Sequence, residues 1–145
     1  MTVRSGLVFG TASLPGYDGT SLAANQNIVV ITINYRTNIF GFPGSSDLPI
    51  TQNNLGLLDQ ELALEWVQLN IAHFGGDPDK VTIMGQSAGA ESVGFATVRD
   101  RINTPFRAGI LLSGVAMPLS PIPSFGSFDG FAKSVGCDQA PGPRD

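Results

Sequence analysis

Apolar residues fall along this chain in two rhythms that alternate: short unbroken runs and one long stretch at helical spacing. Ile28-Val29-Val30-Ile31-Thr32-Ile33 is an uninterrupted β-branched run, which predicts a central strand over Ile28–Asn34 covered on both faces. Val81 to Met84 predicts a second buried strand, and Ala108 to Gly114 a third. Between the first two, Leu55, Leu58, Leu62, Trp66 and Leu69 recur at three- and four-residue intervals. That spacing predicts a helix of about 18 residues opening at Asn53-Asn54, with those five side chains as its apolar face. Gly75-Gly76 should stop it, and Asp77-Pro78 should turn the chain into the second strand. Ser21 to Asn25 suits one helical turn. Ser124 to Val135 suits a short helix, with Phe125, Phe128 and Phe131 three residues apart. Asn38 to Pro49 and the stretch holding Pro118, Pro121 and Pro123 read as loops. Strands alternating with helices predict an α/β fold with a mostly parallel sheet, of which three strands would be only a part.

The second of these strands runs into Gly85-Gln86-Ser87-Ala88-Gly89, the pattern G-x-S-x-G. A strand that gives way to a helix within five residues crowds the positions two before and two after the serine, so only very small side chains fit there. The serine is then held exposed on a strained turn at a helix N-terminus. From there the Ala88 N–H would face an oxyanion developing on a bound carbonyl. A tight strand–helix turn with a capping serine has the same local form.

Composition narrows the function classes. The formal net charge is −4 and there is no basic cluster, which argues against nucleic acid as a partner. Charged residues make up only 14% of the chain, against 18 glycines and 10 prolines, so it suits the interior of something larger. No apolar run has the length of a transmembrane segment. Gly6 to Gly10 is too short for the core of a secretory leader. The one cysteine, Cys137, cannot form an intrachain disulfide.

Read together, the motifs resemble the type-B carboxylesterase/lipase family, the cholinesterase-like branch of the α/β-hydrolases, with wording nearest to fungal members. The residues that carry the resemblance begin with Tyr17-Asp18-Gly19, Thr32-Ile33-Asn34-Tyr35-Arg36, Phe40-Gly41-Phe42 and Asn54-Leu55-Gly56-Leu57-Leu58-Asp59-Gln60. They continue through Ala63-Leu64-Glu65-Trp66-Val67, Asn70-Ile71, Phe74-Gly75-Gly76-Asp77-Pro78 and Val81-Thr82-Ile83 to the Ser87 turn. Phe106-Arg107-Ala108-Gly109-Ile110-Leu111 and Ser113-Gly114 close the set. The resemblance implies a partial α/β-hydrolase fold. It makes residues 1–145 an incomplete domain of this family, truncated at both ends.

It also implies ester hydrolysis through an acyl-enzyme, on small-molecule or lipid esters, with no cofactor and no metal. Ser87 is then the nucleophile, Ala88 an oxyanion donor, and Gly85, Gln86 and Gly89 the rest of the nucleophile elbow. The family's Gly-Gly-Gly-Phe oxyanion loop falls by spacing on Arg4-Ser5-Gly6-Leu7, where Gly6 alone matches. The family usually has Glu directly before the nucleophile. Gln86 keeps the shape without the charge, which weakens the case for a cationic, choline-like substrate. Arg36 and Asp59 carry over as a buried ion pair between a strand end and the long helix, a solvated surface pair being the alternative. Cys137 resembles the first half of a short disulfide whose second cysteine would lie past Asp145.

The family order is Ser, acid, His, and no His follows Ser87 in this sequence. The sole His73 precedes it and reads as a helix-end residue. The acids after Ser87 are Glu91, Asp100, Asp129, Asp138 and Asp145, and none takes the place of the family's distant triad acid. The expectation is therefore an ester-hydrolase segment inactive on its own. A non-catalytic, adhesion-like binding relative is the second reading, although such relatives typically lose the nucleophile and Ser87 is kept. Family members are often secreted; the sequence leaves localisation and oligomeric state open.

Overall fold

The computed structural model describes residues 2–3, 7–99, 104–115 and 128–137. Within them, β1 (Thr2–Val3) is followed by helices α1 (Thr20–Gln26), α2 (Asn38–Gly41) and α3 (Leu55–Asn70). Then come β2 (Thr82–Gln86), α4 (Ala88–Arg99), β3 (Ala108–Leu112) and α5 (Phe128–Ser134). The three strands form a parallel sheet in the order β1-β2-β3. The central strand meets β1 at Thr2↔Met84 and runs beside β3 from Thr82↔Ala108 to Gln86↔Leu112.

Burial alternates along β2, with Ile83 and Gly85 turned inward. Ile83 is 1% exposed and packs with Leu64 of α3 and Val93 of α4, with Val81, Ala96 and Phe106 closing around them. Both helices therefore meet over the strand that leads to Ser87. Polar links tie them as well: Gln60 Nε2 donates to Ser92 Oγ at 3.4 Å, and Arg99 pairs with Glu61. The long helix begins where Asn53-Asn54 predicts and runs 16 residues, then tightens into a 3-10 turn over Ile71–Phe74. Gly75, at φ 79°, ends it by donating its N–H to the carbonyls of Ile71 and Ala72.

The inward face of α3 is the reverse of the one the spacing predicts. Gly56, Gln60, Leu64 and Val67 are buried, while Leu62, Trp66 and Leu69 are 65%, 46% and 77% exposed. The helix has apolar residues on two opposite sides, and the smaller ones face the sheet. Periodicity finds the stripe with the larger residues, but close packing over Ile83 selects the stripe with the smaller ones. On the outer side, Trp66 and Phe74 lie against each other with ring centroids 5.8 Å apart.

Three further expectations are corrected. Ile28–Asn34 forms no strand: only Thr32 makes a bridge, and Ile28 and Val29 are 49% and 44% exposed. A β-branched run becomes a strand only where a neighbour completes its ladder, and the described residues supply a single rung. The third strand is placed as predicted but is not buried, since every residue of β3 is exposed. It is the last strand in the order, with no neighbour on its far side among the described residues. The loop Asn38–Pro49 holds the four-residue helix α2 and is followed by a 3-10 turn at Ile50–Gln52. That loop is held by Asn53, which accepts from the Ser45 N–H at 2.8 Å and donates to the Ser45 carbonyl at 3.1 Å. The short helix near the C-terminus is present as α5, with Phe128 and Phe131 on its exposed surface; Phe125 lies outside the described residues.

Candidate active site

Ser87 stands exposed between the last residue of β2 and the first of α4. Its φ is 55°, in the left-handed region that a residue with a Cβ enters at a cost of about 1 to 3 kcal/mol. Three hydrogen bonds hold it there. The Ser87 N–H donates to the Leu112 carbonyl of β3 at 2.9 Å, and the Ser87 carbonyl accepts from the Ala90 and Glu91 N–H groups at 2.8 and 3.1 Å. The turn is possible because position 85 has no side chain. A Cβ there would stand 2.0 Å from the Gly89 carbonyl oxygen and 2.8 Å from the Ala90 nitrogen.

The helix start supplies the electrostatics. Among the described residues the Ala88 N–H makes no hydrogen bond, so it is available at the positive end of α4 beside the Ser87 hydroxyl. Ala90 is fully buried, and Ser92 Oγ donates to the Ala88 carbonyl at 2.9 Å, fixing the first turn from behind. Gln86, directly before the serine, has its Oε1 out of contact with solvent and without a hydrogen-bond donor among the described residues. A carboxylate in that place would be a buried charge without a partner, a larger penalty than a neutral amide incurs.

The other sequence-selected residues fall in different places. Arg36 and Asp59 do form a pair: the Arg36 backbone N–H and Nε both donate to Asp59 Oδ2, at 2.9 and 2.8 Å, and Nη2 to Oδ1 at 2.6 Å. The pair is not buried as expected, since the Arg36 side chain is 50% exposed and that of Asp59 24%. It fastens the chain before α2 to the first turns of α3, remote in sequence from Ser87. Gly6 lies outside the described residues, as do Asp100, Asp138 and Asp145. His73 sits exposed in the 3-10 turn before the N-terminal end of β2, with Nδ1 3.3 Å from the Asn70 carbonyl. Ser87 is at the opposite end of that strand. Glu91 is in the first turn of α4 and Asp129 in α5.

The Arg36 guanidinium holds the Asp59 carboxyl below the usual carboxylate range, partly offset by desolvation. A carboxyl whose folded pKa is depressed contributes stability above its unfolded value and loses it as pH falls through the folded one. Denaturant midpoints of the wild type and Asp59→Asn should therefore converge as pH drops below about 4. A difference that stays constant across that range would show that the pair acts without its charge.

Residue reasoning alone passes over one further feature beside the turn. Ser113, just past β3, also has positive φ, at 53°, so β2 and β3 both turn sharply at the same rung. The signal was the pair Ser113-Gly114 at the end of an apolar run, the same small-residue punctuation that marks Ser87.

The profile of the carboxylesterase family matches residues 4–143, nearly the whole chain. The chain belongs to the carboxylesterase family. A solved carboxylesterase of Geobacillus stearothermophilus superposes with a TM-score of 0.83 at 39% identity, covering 97% of this chain and 32% of the other. Human cocaine esterase is 52% identical over 111 residues, 77% of this chain and 19% of that protein. Acetylcholinesterase of the snake Bungarus fasciatus is 42% identical over 136 residues, 91% of this chain and 22% of that protein. The chain spans about a fifth of the length of these curated relatives. Its parallel sheet with helices is a partial α/β-hydrolase fold. Among the described residues no helix is long and apolar enough to cross a membrane.

Proposed function

We propose that residues 1–145 are the nucleophile-bearing part of a carboxylic-ester hydrolase domain, with Ser87 as nucleophile and the Ala88 N–H as an oxyanion donor. The observation that carries this reading is the exposed, left-handed Ser87 at the junction of β2 and α4, beside a helix-start N–H that makes no hydrogen bond among the described residues. In the reaction the Ser87 oxygen bonds to the ester carbonyl carbon while its proton passes to a base. The negative charge that develops on the carbonyl oxygen faces the Ala88 N–H and the positive end of α4. Collapse breaks the bond to the alkoxy oxygen, which leaves as the alcohol once protonated, and water then releases the acid from the acyl-serine. A neutral serine hydroxyl is a weak nucleophile without that base. No residue of this sequence after Ser87 is a histidine, so the chain alone should turn over esters no faster than background.

Small-molecule esters are the substrate class, with lipid esters the finer possibility. The neutral Gln86 beside Ser87 favours uncharged substrates over cationic ones. Gly6 is the proposed remnant of the upstream oxyanion loop. Those donors would add to the Ala88 N–H.

A fluorophosphonate probe applied to the complete protein carrying this sequence, followed by peptide mapping, tests the assignment. Covalent label on Ser87 is the expected result. Label on another serine with Ser87 unmodified would overturn it.

A further inference from the structure

We infer that Gly114 is a positioning residue for the Ser87 nucleophile, its missing side chain leaving the room in which the elbow's carbonyl and first helical turn are seated. The inference rests on the hydrolase reading above. Two observations carry it. A Cβ built on Gly114 would stand 2.7 Å from the Ala90 Cβ and 2.8 Å from the Ser87 carbonyl oxygen. Neither neighbour is free to move aside, since Ala90 is 0% exposed and the Ser87 carbonyl already accepts two helical N–H groups.

The contact is enforced from β3. Leu112 O receives the Ser87 N–H, and the positive φ of Ser113 then folds the next residue, Gly114, back against the elbow. The nucleophile is thereby held at both of its flanking peptides: its N–H by the end of β3, and its carbonyl by Gly114. A methyl group at 114 would act on the Ser87 carbonyl, and through it on the direction of the following amide, the Ala88 N–H proposed to meet the oxyanion. Gly109, within β3, offers a contrast. Its built Cβ comes closest to the Val93 Cγ1, a side-chain atom, at 2.9 Å, with everything else at 3.7 Å or more.

The test uses the complete protein carrying this sequence, with Gly114→Ala, Gly109→Ala and the double variant Gly114→Ala/Ala90→Gly. The double variant removes the clash with the Ala90 methyl and keeps the clash with the Ser87 carbonyl, so it isolates the carbonyl contact. Two readouts are taken at a temperature where each variant is folded: the fluorophosphonate labelling rate at Ser87, and hydrogen-exchange protection of the Ala90 and Glu91 amides. Labelling of Gly114→Ala and of the double variant should slow by about 10- to 100-fold, the scale of a misplaced reacting group. Protection at Ala90 and Glu91 should fall, and Gly109→Ala should label like the wild type. Wild-type labelling with a methyl at 114 would overturn the inference, because the loop after β3 would then have yielded in place of the elbow. If wild-type Ser87 does not label at all, the hydrolase reading fails. Exchange at Ala90 and Glu91 still decides whether Gly114 seats the turn, with unchanged protection counting against it.

Discussion

Ser87→Ala should lower ester turnover by the complete protein by about 10⁴- to 10⁶-fold while leaving its thermal midpoint close to that of the wild type. The chemistry sets the scale. Removing the attacking oxygen removes the acyl-enzyme route and leaves only what the oxyanion donors and binding supply. Stability should change little because Ser87 is exposed and the three hydrogen bonds it makes among the described residues all use backbone atoms, which alanine retains. Alanine also meets the same left-handed φ of 55° that serine already tolerates. Initial rates on a short-chain nitrophenyl ester, set beside a melting curve, check both halves. A drop in rate no larger than tenfold would remove Ser87 from the nucleophile's role.

Gly85→Ala should act in the opposite manner, through the fold. The new methyl carbon would lie 2.0 Å from the Gly89 carbonyl oxygen and 2.2 Å from its carbon, both backbone atoms inside the turn. No rotamer change relieves that overlap. The elbow must open or α4 must slide, and α4 carries Val93 and Ala90 into the core. A loss of about 3 kcal/mol or more is expected, at the upper end of overpacking effects. Gly75→Ala is the comparison. Unlike Gly85 it has positive φ, 79°, but nothing lies within 4 Å of its built Cβ, so it should cost only the backbone penalty of about 1 kcal/mol. Equal midpoint losses for the two variants would show that crowding at position 85 is not what matters.

The sequence exposes the sharp turns better than the faces. Gly85 to Gly89 is legible because steric crowding has only one cheap solution, and the structure shows the crowding atom by atom. Asn53-Asn54 marks the start of α3, and Gly75-Gly76 the end of the 3-10 turn that follows it, for similar local reasons. The inward face of α3 differs from the expectation because Leu62, Trp66 and Leu69 outweigh Gly56, Leu64 and Val67 in bulk. Which stripe faces the sheet depends on packing over Ile83, a contact between residues far apart in sequence. The run Ile28–Asn34 fails as a strand for the same kind of reason, since strand propensity expresses itself only against a partner. Of the candidate site, the sequence reveals the serine and its glycines. Ser113-Gly114 marks a turn in the sequence, but the seat that Gly114 gives the Ser87 carbonyl depends on β3 turning beside β2, which no local pattern records.

The shared rung at which β2 and β3 turn makes the length of β3 a ruler for Ser87, the proposed nucleophile. Gln86 pairs with Leu112, and the next amide along, that of Ser87, bonds to the Leu112 carbonyl. Point substitutions at Ile110 or Leu111 preserve that count whatever they do to the surface. A single-residue insertion or deletion between Ala108 and Leu112 does not: it turns every later side chain to the other face and offers Ser87 the wrong carbonyl. Positions 110 and 111 should therefore accept wide variation in identity, and the segment almost none in its number of residues.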